Sequence, residues 1–335
     1  MKSILNVVIL NCTFLVLLSN NLFAKEDKKR YIIATASAGG TYYPVGIGIA
    51  TIASKELFLD NMIFSAVTSA GSAENIQMLQ KNEVDFAILQ GLFGSMAWQG
   101  KAKYEGTPKK NLRAISMLWQ NVEQFTVRSK YVTTGNIKDI KNLYEKKFSI
   151  GGRSSGARIS AEIILDSLGI SYNKMDLEYL GYLASANALF KGEIEGMNTP
   201  AGIPTPAICN VFIRLGSEQV SILEFSKEDL LKINDNYPVW TPHIIKAGVY
   251  PEQRKDIHTI AQPSLLVVTK DTPEETVYLL TKAIYENLPY LHDVHQATKA
   301  ISLRKATVGL PMPLHSGAAR FYREKGIYIP DSLIE

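Results

Sequence analysis

Apolar positions along the chain fall into short β-rich runs that alternate with stretches of helical period. Residues 31–36 read as a strand, stopped by Ser37-Ala-Gly-Gly40, and a helix pattern runs from Tyr42 to about Leu57. A second strand at 64–68 leads into Ser69-Ala-Gly-Ser72 and a helix ending at Gln80. Glu74 and Asn75 in its first turn suit the positive end of a helix. A third strand is expected at 85–90 and a further helix at 94–103. This rhythm with short loops predicts a mainly parallel sheet covered by helices.

The rhythm then restarts. Residues 114–119 and 124–129 are strand-like and lie close together, which suits a crossing between two lobes. A short helix at 137–144 precedes a strand at 148–150 that enters Gly151-Gly-Arg-Ser-Ser-Gly156. A strong helix pattern at 157–168 is closed by Gly169. Further strands are expected at 177–180, 195–199, 220–225 and 264–270, and a helix at 273–288. No repeat and no low-complexity linker interrupts the chain. Two similar α/β lobes joined by short strands fit this pattern.

The first 24 residues differ from the rest. Lys2 precedes an apolar run from Ile4 to Leu18, and Ser19-Asn-Asn-Leu-Phe-Ala24 then gives way to charge. The order reads as a secretory signal with cleavage after Ala24. A retained anchor is the alternative, but the run is short for a membrane span and carries Asn6 and Asn11. Export leaves Cys209 as the one cysteine of the mature chain, because Cys12 lies in the signal. An internal disulfide is thereby excluded, and a buried apolar role outweighs a nucleophilic one.

Composition narrows the function. With 335 residues, 46% hydrophobic and 20% charged, the chain is an ordinary globular protein of about two domains. Lys and Arg exceed Asp and Glu by only 36 to 32, which argues against a nucleic-acid partner. No Gly-x-Gly-x-x-Gly and no P-loop occurs, and the five His form no metal-binding pair, so neither a cofactor nor a metal is expected.

Three loops share one device. Ser37-Ala-Gly-Gly-Thr-Tyr42, Ser69-Ala-Gly-Ser72 and Gly151-Gly-Arg-Ser-Ser-Gly156 each end a strand and begin a helix. Glycine admits a close ligand, hydroxyls add donors, and the N–H groups of a helix start favour an anion. Such loops lie at the carboxyl ends of strands, where open α/β sheets bind ligands. One competing signal is Gly152-Arg-Ser154-Ser-Gly156, which matches a nucleophile elbow; Asp271 and His315 could then complete a serine hydrolase. No oxyanion loop precedes Ser154, so the anion-loop reading is preferred. Tyr42, Tyr43, Trp98, Trp119, Tyr182 and Trp240 could wall a cleft, although aromatics more often fill cores. Only Tyr42, beside a glycine pair, stands out.

These motifs resemble the TAXI family, the solute-binding proteins of one branch of the tripartite ATP-independent periplasmic (TRAP) transporters. Gly39-Gly-Thr-Tyr-Tyr-Pro44, Gly71-Ser-Ala-Glu-Asn75 and Asp85-Phe-Ala-Ile-Leu-Gln90 carry the resemblance in the first half. Ile150-Gly-Gly-Arg-Ser-Ser-Gly-Ala-Arg158, Gly192-Glu-Ile-Glu-Gly196, Thr199-Pro-Ala-Gly-Ile-Pro204 and Pro313-Leu-His-Ser-Gly-Ala-Ala-Arg-Phe-Tyr322 continue it. Glu195-Gly196, Arg153 and Ser316 depart from the family pattern.

The resemblance implies an α/β, type II-like periplasmic-binding-protein fold with the ligand cleft between lobes joined by hinge strands. Lobe I would comprise 25–119 plus 265–335 and lobe II 120–264. It further implies a periplasmic receptor without turnover, expected to be a monomer. The receptor would take a small carboxylate of the glutamate or 2-oxoglutarate class and hand it to TRAP membrane subunits that use an ion gradient, commonly sodium. Expected ligand contacts are Gly40, Thr41, Tyr42, Ser69, Gly71, Ser72 and Gln90 from the first lobe. From the second come Ser154, Ser155, Gly156 and Arg158, with Thr199, Pro200 and Gly202 as a lining loop. A receptor of the same fold for a non-carboxylate ligand is the remaining alternative.

Overall fold

The computed structural model describes residues 28–334, so the expected signal at 1–24 lies outside the described residues. The chain opens with β1 (Lys29–Ala34), α1 (Tyr42–Glu56), β2 (Met62–Val67), α2 (Ser72–Gln80), β3 (Phe86–Gln90) and α3 (Gly91–Gln99). Next, β4 (Leu112–Val122) runs almost directly into β5 (Phe125–Arg128). There follow β6 (Lys147–Ser149), α4 (Gly156–Ser167), β7 (Asp176–Glu178), α5 (Tyr182–Lys191), β8 (Gly196–Asn198), α6 (Pro206–Leu215), β9 (Val220–Ile222) and α7 (Lys227–Asn234). The chain closes with β10 (Thr241–Ile245), β11 (Ile257–Thr269), α8 (Glu274–Glu286), α9 (Leu288–Val294) and α10 (Ser316–Glu324).

The strands form two mixed sheets. In the first, the order is β10-β11-β3-β1-β2, with β4 also paired to β11. Strand β1 lies parallel to β2 and β3, while β11 runs antiparallel to β3, β4 and β10. The second has the order β7-β6-β8-β5-β9, parallel across β7-β6-β8 and antiparallel at β5. Strand β3 is buried at every position, as its continuous Phe-Ala-Ile-Leu run requires of a strand covered on both faces.

Two crossings join the sheets. Val122 closes β4 and Phe125 opens β5, so Glu123 and Gln124 form the link. The Glu123 N–H donates to the Ile260 carbonyl at 2.9 Å, which ties that link to the start of β11. Strand β11 begins at Ile257, well before the expected 264, because its first residues belong to the crossing. Although β10 hydrogen-bonds within the first sheet, Ile245 and Ala261 pack with Leu189, Met197 and Val211 of the second lobe. The larger core runs through both sheets, from Ile33 and Phe86 to Phe125 and Phe148. Among the described residues, no helix is long and apolar enough to cross a membrane.

Candidate functional site

Four helices of eight or more residues begin at one cavity of about 250 Å³ between the two lobes. Its lining includes the starts of α1 (Thr41, Tyr42), α2 (Gly71, Ser72), α4 (Ser155, Gly156, Ala157) and α5 (Gly181, Tyr182). Each start follows a strand through a short glycine loop, so backbone N–H groups and four positive dipole ends face one space. Among the described residues, none that lines the cavity carries a charge. The volume lies just below the range typical of drug-sized pockets, which suits a small metabolite.

Glycine is required where the lobes meet. Gly71 sits at φ +117°, a conformation closed to other L-residues. Gly156 packs against the first lobe, where a Cβ would overlap Gln90 Oε1 and come within 2.9 Å of Ser72 Oγ. The lobes also touch through hydrogen bonds. Thr41 Oγ1 donates to the Gly202 carbonyl at 2.7 Å, and the Ala207 N–H donates to the Gly39 carbonyl at 3.0 Å.

The first-lobe wall is polar and incompletely satisfied. Gln90 and Asn121 are 3% and 1% exposed, and Gln90 Oε1, Asn121 Oδ1 and the Tyr42 hydroxyl have no protein partner. Such groups are costly to bury unless a ligand or water meets them. The Gln90 N–H is spent on Ser72 Oγ at 3.0 Å, which fixes the end of β3 against the start of α2. Burial pushes the Tyr42 and Tyr182 phenols far above their ordinary range, so both stay neutral donors.

Of the residues expected at the site, Gly40, Thr41, Tyr42, Gly71, Ser72, Gln90, Ser155, Gly156 and Pro200 line the cavity. The structure places five others outside the lining. Ser69 is a brace: its Oγ donates to Asn75 Oδ1 at 2.6 Å and accepts from the Gly71 N–H. Ser154 is exposed. Arg158 turns along α4, with Nε 2.7 Å from Glu162 Oε1 and Nη1 on the Arg153 carbonyl. Thr199 bonds Gln124, and Gly202 accepts Thr41. Sequence reasoning missed Asn121 and the helix start at Gly181, and named Tyr182 only as one of six aromatics that could wall a cleft. That start has the same strand–glycine–helix form as the other three; Asn121 carries no local signal.

The hydrolase alternative lacks its geometry. His315 caps α10, with Nε2 2.9 Å from the Thr272 carbonyl and Nδ1 accepting the Gly317 N–H. Both ring nitrogens are therefore used away from Ser154. Cys209 is half-buried and its thiol is pushed up by burial, which weakens any nucleophile. Among the described residues, no group of three or more His, Cys, Asp or Glu is placed to hold a metal ion.

Solved structures share this architecture at low sequence identity. MatC from Rhodopseudomonas palustris, solved with bound malate, is similar with a TM-score of 0.55 and 14% identity, over 88% of this chain and 96% of that one. A protein of Bordetella bronchiseptica RB50 matches at TM-score 0.53 and 14% identity, covering 91% of each chain. The periplasmic binding protein BugD matches at 0.52 and 13%, over 89% of this chain and 94% of its own. The fold is that of the type II periplasmic binding proteins, two α/β lobes around a cleft. The NMT1-like family matches across residues 33–326. That span contains both sheets except the start of β1, and all four helix starts at the cavity, so the chain belongs to the NMT1-like family.

Proposed function

We propose that this protein is a TAXI-type receptor of a TRAP transporter that captures a small carboxylate, of the glutamate or 2-oxoglutarate class, in the periplasm. The observation that carries the reading is the convergence of four helix N-termini, two from each lobe, on a cavity without charged side chains. Helix starts bind carboxylates without a cation, and exclusion of water strengthens those bonds. The malate held by MatC is a small carboxylate of the same kind. Cleavage after Ala24 would release the chain to the periplasm as a monomer. The two lobes, expected as 25–119 with 265–335 and as 120–264, would then close about the Glu123–Gln124 link, with β4 to Val122, β10 and β11 staying in the first sheet. Membrane subunits driven by an ion gradient would receive the ligand.

A thermal-shift screen of ligand-free mature protein tests the reading, using glutamate, glutamine, 2-oxoglutarate, C4 dicarboxylates and neutral amino acids. Ligand at a hundred times its Kd adds about 2.7 kcal/mol, a rise of several degrees. A rise with one carboxylate supports the reading. Flat traces throughout, from folded protein, turn it toward a non-carboxylate ligand.

A further inference from the structure

Glu123 occupies the link between the two sheets and is fully buried. Both of its backbone groups are pinned to the opposite crossing strand. Its N–H donates to the Ile260 carbonyl, and its carbonyl accepts Thr259 Oγ1 at 2.7 Å. The carboxyl is gripped on one side only. Oε1 accepts Trp240 Nε1 at 3.0 Å and Gln262 Nε2 at 3.2 Å, while Oε2 has no partner. Gln262 in turn accepts the Leu92 N–H at 2.9 Å, two residues beyond the cavity-lining Gln90. One carboxyl thus joins the β4–β5 link, β11, the segment before β10 and, through Gln262, the start of α3.

The surroundings offer no countercharge. Facing Glu123 are Trp240, Gln262, Ser160 of α4, and the phenols Tyr42 and Tyr182 from opposite walls of the cavity. Among the described residues, no cation acts on it. Burial therefore favours the neutral acid and lifts its pKa to about 7, against the pull of the Trp240 and Gln262 donors. Tyr42 and Tyr182 line the cavity from opposite lobes, so parting the lobes would open a path for water toward the ungripped oxygen. Hydration restores the charged form.

We propose that Glu123 is a positioning residue of the hinge that takes a solvent proton onto its carboxyl when the lobes close and returns it when they part. The inference rests on the two-lobed receptor reading but not on the ligand being a carboxylate. By linkage, closure weakens as pH rises from the hydrated to the buried pKa, by up to about tenfold per pH unit, and levels off above it.

Small-angle X-ray scattering of the ligand-free mature chain from pH 5 to 8 provides the test, comparing wild type with Glu123→Gln. Glutamine keeps an acceptor for Trp240 and Gln262 but cannot titrate. The wild-type radius of gyration is expected to rise with pH, and that of Glu123→Gln to stay at the compact value throughout. Coincident profiles overturn the proposal, whatever the ligand is. If Glu123→Gln does not fold, infrared spectra of the wild type decide. A protonated-acid carbonyl band that persists at pH 6 and fades by pH 8 supports the proposal, and its absence at pH 6 overturns it. Flat thermal-shift traces would sink the carboxylate reading and leave the scattering comparison intact.

Discussion

Gly156 is the residue at which the site tolerates least. A methyl group there meets Gln90 Oε1 and Ser72 Oγ of the opposite lobe, so Gly156→Ala is expected to hold the cleft ajar. Calorimetric titration with whichever carboxylate binds should show affinity down at least about tenfold, with thermal stability nearly unchanged because α4 gains a better helix former. Unaltered affinity would remove Gly156 from the closure surface. Thr41→Val removes the Thr41–Gly202 hydrogen bond, a loss of about 1 kcal/mol or roughly fivefold in affinity. Arg158 provides the contrast. Its guanidinium is committed to Glu162 on the same helix, so Arg158→Ala should cost at most about 0.5 kcal/mol of stability and leave affinity within about twofold. A large loss of affinity would mean that Arg158 swings into the cleft.

At the scale of elements, the glycine loops depend on braces whose role sequence inspection does not give. Asn75 on α2 is fully buried, its Nδ2 donating to the Thr35 and Ile88 carbonyls at 2.7 and 2.8 Å and its Oδ1 accepting Ser69. Asn75→Ala strands both carbonyls and frees the Ser69 loop. The expected cost is about 2–3 kcal/mol, or about 5 °C in Tm by calorimetry. The same contrast explains what could be read in advance. Helix α1 and strands β1 to β3 follow their apolar periods and fall within two or three residues of the expected bounds. Strand β11 reads short in the sequence because His258, Thr259, Gln262 and Pro263 break its apolar run; Thr259 and Gln262 make the hinge network, and the register slips at Ser264/Leu265. Helix α5 escaped notice because Ala-Ser-Ala-Asn at its centre is too small and polar to mark a face. The helix start at Gly181 therefore gives no signal of its own, and Tyr182 shows only as one aromatic among several. Residues chosen for their chemistry alone, Ser154 and Arg158, were least well placed, since spacing says which loop a side chain sits on but not where it points.

For the whole molecule, opposed titrations fix where the fold is most stable. At Asp139, burial raises the carboxyl pKa, but the Thr134, Gly135 and Thr133 N–H groups more than reverse it, leaving it depressed. Asp229 is likewise depressed, its burial outweighed by Asn136, Ser226 and Lys138. Both groups add stability above their unfolded values near pH 4, and that stability is lost as pH falls through the folded values. Glu123 has the opposite sign. Raised to about 7 when folded, against about 4.3 unfolded, it binds its proton more tightly in the native state. Its contribution is fully present below the unfolded value, declines as pH rises toward the folded one, and is gone above it, a change of roughly 4 kcal/mol. Urea midpoints should therefore peak at about pH 5 and fall toward pH 7.5. In Glu123→Gln the acid limb set by Asp139 and Asp229 should remain and the fall above pH 5 should largely vanish. An unchanged neutral limb in that variant would mean that Glu123 is already ionised in the closed fold and that another group sets the decline.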